Sequence, residues 1–255
     1  MCGRYSMISA PEATRQLFRY MEQPNFPSRY NIAPTQPIAV VRLADGARHF
    51  ALMRWGLLPS WVKDPKDFAL IINARGETAA EKPAFRAAMK RRRCLIPVDG
   101  FYEWQRAGAR KRPFYIRQRS GGPFAFAGLW ETWTGPNGEE IDTAAIVTTA
   151  ANATLAPIHD RMPVIVAPEA FDLWLDPNAE AKFVQALIAP APDDLLEAYE
   201  ISTAVNRTAN DGPQLLVPVG DAPEPEQDKP KPTAKRAPRR KSGGGNGGDG
   251  QSSLF

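Results

Sequence analysis

Apolar residues recur in two rhythms along the first 220 positions. In SAPEATRQLFRYM, Leu17, Phe18 and Met21 fall at helical spacing behind Ser9, and Glu12 follows that serine by three residues. This predicts a helix over 9–21 capped by Ser9. KPAFRAAMKRRR predicts a second helix over 82–93, and PEAFDLWL with NAEAKFVQALI a third and fourth over 168–175 and 178–188. Between them, the short runs IAVVRL, RHFALMRW, CLIPV, FYEWQ, PFYIRQ, FAFAGLW and DTAAIVTTA read as strands. They are bounded by Asp-Gly, Gly-Gly and Pro-Asn-Gly turns, the punctuation of antiparallel hairpins. Helices sit between groups of strands, with no regular alternation and no internal repeat. The expected fold is α+β: a single domain on a mainly antiparallel, barrel-like β-sheet with flanking helices.

Both rhythms stop at Asp221. From there to Phe255 the chain is rich in Pro, Gly and charge, and its middle, KPKPTAKRAPRRK, is basic and free of acids. Such a segment buries too little apolar surface to offset ordering, so a domain over 2–220 and a disordered tail over 221–255 are expected. The net charge of +4 is compatible with a polyanionic partner without requiring one. No stretch has the length of a membrane span, and no secretory signal opens the chain. Two widely separated cysteines argue against a disulfide framework and for a reducing, cytoplasmic setting. Cys2, Cys94, His49 and His159 lack metal-ligand spacing, so neither a metal nor another cofactor is expected.

Four residues raise chemical questions. Cys2 stands directly behind the initiator methionine, whose removal would leave an α-amine and a thiol on one residue; otherwise Cys2 is a small apolar residue in a first strand. Glu103 lies in the aromatic run PVDGFYEWQ. Alternation places Phe101, Glu103 and Gln105 on one face, either an exposed polar face or the setting of a partly buried proton-transfer acid. Asn73, at the end of an apolar strand, is either a turn former or a hydrogen-bonding clamp. His159 sits with Asp160 and Arg161 just before an apolar strand, as at the lip of a cleft, whereas His49 follows a turn and is expected to be solvated. Lys90, Arg91, Arg92 and Arg93 read as a solvated helix end or a contribution to nucleic-acid binding.

MCGRY, RYNIAPTQ, MRWGLLPSW, INARGET, RRRCLIPVDGFYEW, HDRMPVIV and STAVNRTANDGPQL follow one another in the order typical of the SOS response-associated peptidase (SRAP) family. The resemblance spans residues 2 to 219. It implies a sensor of abasic sites in single-stranded DNA, bonding covalently through an amino-terminal cysteine, with lyase-type activity and a peptidase activity directed at its own first residue. By that resemblance the reactive group is Cys2, with Asn73, Glu103 and His159 around it. Arg4, Asn31, Arg75 and Arg161 fall in DNA-contacting motifs, and Trp61 falls where an aromatic borders the DNA groove. One departure is Val62, where the family often carries a bulky aromatic.

The chemistry so implied is condensation of the α-amine with the open aldehyde of an abasic deoxyribose. The thiol then adds to the imine and closes a thiazolidine ring. Three rivals stand beside it: an amino-terminal-nucleophile amidohydrolase, a cysteine peptidase pairing Cys2 with His159, and a noncovalent single-strand binder. The protein is expected to be monomeric and to bind no membrane. In the terminal QSSLF, Gln251, Leu254 and Phe255 match the pattern by which peptides enter the pocket of a bacterial sliding clamp.

Overall fold

The computed structural model describes residues 2–107 and 110–220. In chain order its first half holds β1 (Tyr5–Met7), α1 (Pro11–Phe18), β2 (Arg29–Ile32), β3 (Pro37–Ala44), β4 (Ala47–Trp55), β5 (Asn73–Arg75), α2 (Gly76–Ala79), α3 (Arg86–Arg91), β6 (Arg93–Val98) and β7 (Gly100–Ala107). There follow β8 (Arg110–Gln118), β9 (Phe124–Thr134), β10 (Glu140–Ala150), β11 (Arg161–Pro163), β12 (Ile165–Val166), α4 (Phe171–Leu175), α5 (Ala181–Ala186) and β13 (Leu196–Glu200).

Five strands close on themselves in the order β3-β4-β10-β9-β6 and back to β3. Four of these pairings are antiparallel; β10 closes the ring against β4 in parallel, Thr143 opposite Arg54 and Ala144 opposite Trp55. β5, β11 and β12 extend this barrel at its edges. A second, antiparallel sheet runs β13-β8-β7-β1-β2. The α+β, barrel-like expectation therefore holds. The Asp45-Gly46 turn joining β3 to β4 has φ of 49° and 77°, the left-handed pair that suits a two-residue hairpin.

β6 and the central part of β10 are buried on both faces, which is why their sequences read as continuous apolar runs. On β6, Cys94, Ile96 and Val98 enter one cluster and Leu95 another; on β10, Ala144 and Ile146 divide likewise from Ala145 and Val147. The first cluster takes in Cys2, Tyr5, Phe101 and Ile116 from the second sheet's side. The other packs beneath the helices, around Phe18, Met89, Phe171, Trp174 and Val184.

The helices are shorter than the patterns predicted. α1 starts at Pro11, preceded by Ala10, because the Ser9 hydroxyl is bound to Asp99 and does not cap it. It ends where Arg19 turns left-handed (φ 55°), leaving Met21 exposed. The 82–93 pattern keeps only Arg86–Arg91, since Arg93 already belongs to β6. PEAFDLWL opens with a 3-10 turn before α4, and 178–188 keeps only Ala181–Ala186. His49 is not simply solvated: its Nδ1 lies 2.7 Å from Glu22, whose other oxygen accepts the Phe50 N–H at 2.7 Å. The basic run divides as well. Lys90 and Arg91 are exposed, Arg92 pairs with Glu131 at 2.5 Å, and Arg93 is buried.

Candidate active site

Cys2 is placed by the strand that follows it. β1 lies between β2 and β7, Tyr5 opposite both Ile32 and Phe101, and the Tyr102 N–H donates to the Arg4 carbonyl at 3.0 Å, carrying the ladder toward the amino terminus. The far end of β1 is pinned by Asp99, whose carboxylate accepts the N–H groups of Ile8 (2.6 Å) and Ser9 (2.9 Å). Tyr115 reaches over from β8 to place its hydroxyl 2.8 Å from that of Ser6. It passes through the space a Cβ on Gly100 would fill, 2.3 Å from the Tyr115 ring. Cys2 is thus fully buried in the apolar cluster.

Asn73 and Glu103 act on it directly, and His159 acts on Glu103. Asn73, first residue of β5, donates its Nδ2 to the Cys2 carbonyl at 2.9 Å. β5 is held there by parallel pairing with β10, and the indole of buried Trp55 donates to the preceding carbonyl, Ile72, at 3.0 Å. Glu103, on β7, is 2 % exposed, so its carboxyl is buried and not part of a solvated polar face. Burial raises its pKa above the ordinary carboxylate range, while the positive amino terminus and His159 pull in the opposite direction. Burial, and then the charge of Glu103, push the Cys2 thiol well above its usual range. Cys94 is likewise raised by burial, in a core position.

His159 closes the loop between β10 and β11. Its N–H bonds the Leu155 carbonyl at 2.9 Å, and Ala151 N–H bonds Asp160 at 3.0 Å. The Arg161 N–H donates to His159 Nδ1 at 2.9 Å. The exposed Asp160 carboxylate also lies 2.9 Å from Nδ1. Gln105, which the sequence reading only placed on the Glu103 face, ties this loop to β7 by donating to the Pro157 carbonyl at 2.9 Å. Its parity with Glu103 was the only sequence signal for that part. Asp99, Ser6 and Tyr115 gave none.

The residues assigned by resemblance to DNA lie in different settings. Arg75 is exposed at the end of β5, and Trp61 is 58 % exposed with its ring edge-on to Phe68 at 5.6 Å. Val62, beside it, is buried with Leu58 and Trp133. Arg161 is gripped by Glu77 at 2.6 and 2.8 Å and donates to the Thr148 carbonyl at 2.7 Å, bridging across β10. Asn31 is buried: its Oδ1 accepts from Arg4 at 2.7 Å, and its Nδ2 faces the carbonyls of Val205, Arg207 and Asn210 at 2.8–3.2 Å. Arg4 also donates to Val205 at 3.0 Å. The tail, with Gln251, Leu254 and Phe255, lies outside the described residues.

A small closed barrel backed by a second sheet, with an amide and a carboxyl at a cysteine beside the chain's start and an imidazole coupled to that carboxyl, defines an α+β protein with a candidate amino-terminal nucleophile. The chain belongs to the SOS response associated peptidase (SRAP) family, whose model matches residues 1–208. It is 40% identical over 222 residues to the abasic site processing protein YoqW of Bacillus subtilis (strain 168), covering 85% of this chain and 99% of that one. It is 31% identical over 227 residues to the abasic site processing protein YedK of Escherichia coli (strain K12), covering 86% and 100%. Among solved structures, a protein from Bacteroides thetaiotaomicron superposes with a TM-score of 0.78 at 26% identity, covering 85% of this chain and 99% of that one.

Proposed function

We propose that this protein senses abasic sites in single-stranded DNA and captures them covalently on Cys2 once Met1 has been removed. Relatives named as abasic site processing proteins support the substrate. The observation that carries the chemistry is the clamp of Asn73 on the Cys2 backbone with the buried Glu103 carboxyl beside it.

The steps balance without a redox partner. The freed α-amine, with a pKa of about 7.7–8.0, attacks the open aldehyde carbon, and the resulting carbinolamine loses water to give an imine. The thiol sulfur then bonds to the imine carbon, its proton passes to the nitrogen, and the five-membered ring closes within one residue. Glu103, with its raised pKa, holds a proton closer to neutrality than an ordinary carboxyl and supplies it to the departing hydroxyl. His159 serves the sugar oxygen. The order of steps suits a thiol kept protonated by burial. A thiolate-first peptidase or amidohydrolase needs the reverse, a thiol whose pKa is depressed.

The test mixes protein with single-stranded DNA bearing one abasic site and analyses the mixture on a denaturing gel. Wild type gives a heat-stable shifted band; Cys2→Ala and an amino-terminally extended form give none. Cys2→Ser keeps the amine and gives at most a borohydride-trappable imine. Turnover of casein or glutamine that depends on Cys2, with no DNA adduct, would establish the hydrolase reading instead. We propose further that QSSLF recruits a sliding clamp: deleting Gln251–Phe255 abolishes clamp binding, and unchanged affinity refutes it.

A further inference from the structure

A concavity with a volume of about 750 Å3 lies away from Cys2, between α3, α5 and the loop after α4. Its floor is apolar: Met89 and Val184 are buried residues of the helix-side core, with Ala179 beside them. Its rim is cationic. Arg86, Lys90 and Arg91 line it from α3, all three exposed. Among the described residues none of the three is paired with a carboxylate.

Among the described residues, no Asp or Glu lines the groove. Of the two carboxylates bordering the α4–α5 loop, Asp176 accepts the Asn178 N–H at 2.8 Å and Glu180 is engaged by Lys182 at 2.8 Å. The carbonyls at the end of α3, which would otherwise present negative dipole to the groove, are taken up by Arg93. That guanidinium is buried, donates to Met89 (2.6 Å), Lys90 (2.9 Å) and Trp174 (2.6 Å), and also binds the Asp176 carbonyl. A fourth positive charge is therefore fixed in the low-dielectric wall, where it focuses the field of the rim.

We infer that this groove docks an acidic peptide segment of a partner protein, one that carries an apolar side chain for the floor and carboxylates for the rim. Nucleic acid is the less suitable occupant, because single strands are held by aromatic platforms on which bases stack, and among the described residues no aromatic side chain lines the groove. A floor built partly of methionine adapts to differently shaped aliphatic or aromatic side chains. The inference is independent of the abasic-site reading, since no residue of the groove belongs to the Cys2 site.

Fluorescence anisotropy with the full chain tests it, using the labelled peptide Asp-Asp-Asp-Leu-Pro-Phe as probe and the same peptide with Asn for Asp as control. Expected are saturable binding that weakens with added salt, at least tenfold weaker binding of the control, and a similar loss in Lys90→Glu/Arg91→Glu and in Val184→Asp. Arg86→Ala/Lys90→Ala, which introduces no new charge, should show a smaller loss in the same direction. Adduct formation at Cys2 and affinity for an undamaged oligonucleotide should stay at wild-type levels in the α3 variants. Equal affinity for probe and control would overturn the proposal. So would α3 variants that lose tenfold in oligonucleotide affinity while still binding the peptide, for the groove would then be a nucleic-acid track.

Discussion

Glu103 links stability to reactivity at a single side chain. Its folded-state pKa is raised, whereas in the unfolded chain it titrates at about 4.3. The stabilisation from its buried, protonated form is complete below the unfolded value and is lost as pH rises through the folded one. Glu103→Gln removes that dependence. The melting temperature of the variant should therefore gain on wild type with rising pH across this window and stay parallel below it, while adduct formation falls about a hundredfold. A constant difference at all pH values would contradict the burial of a titrating carboxyl. Asn31, which by resemblance falls in a DNA-contacting motif, has its amide bound by four protein partners. Asn31→Ala should cost stability of about 1–3 kcal/mol through stranded carbonyls, measured by denaturant unfolding. At this scale the sequence named Cys2, Asn73, Glu103 and His159 through a resemblance. The parity of Gln105 with Glu103 was readable from the residues alone. What could not be read was which polar side chains are consumed by the protein itself, because that depends on partners up to 201 positions away, as with Arg4 on the Val205 carbonyl.

Among the elements, long strands were legible and short ones were not. β3, β4, β9 and β10 each have eight or more residues and hairpin turns of recognisable chemistry. β1, β5, β11 and β12 have two or three, too few for any period to show, and they are held by their neighbours rather than by propensity. The site is built largely on such pieces, which is why its frame stayed hidden. β1 depends on Gly100: Gly100→Ala drives a methyl group into Tyr115 and loosens the hydroxyl contact with Ser6. Unfolding should show a loss of about 1–3 kcal/mol, the usual cost of overpacking. Adduct formation should slow as well, because the same strand aims Cys2.

Taken whole, the molecule separates a buried reacting centre from exposed cationic positions. On the reading proposed above, Arg75→Ala should weaken noncovalent single-strand binding and flatten the plot of log affinity against log salt by about 0.7. The adduct rate at saturating DNA should be unchanged, as measured in single-turnover time courses. Arg161 differs, since its guanidinium braces β11 to Glu77 across β10. The placement of β1 between β2 and β7 has a consequence for biosynthesis. Its second neighbour ends at Ala107, so on the ribosome the leading residues have no seat until about a hundred more have been joined. At roughly 5–20 residues per second that interval lasts roughly 5–20 s, during which the leading residues stay unpaired. On the reading proposed above, removal of Met1 thus has a window that closes when the seventh strand is made.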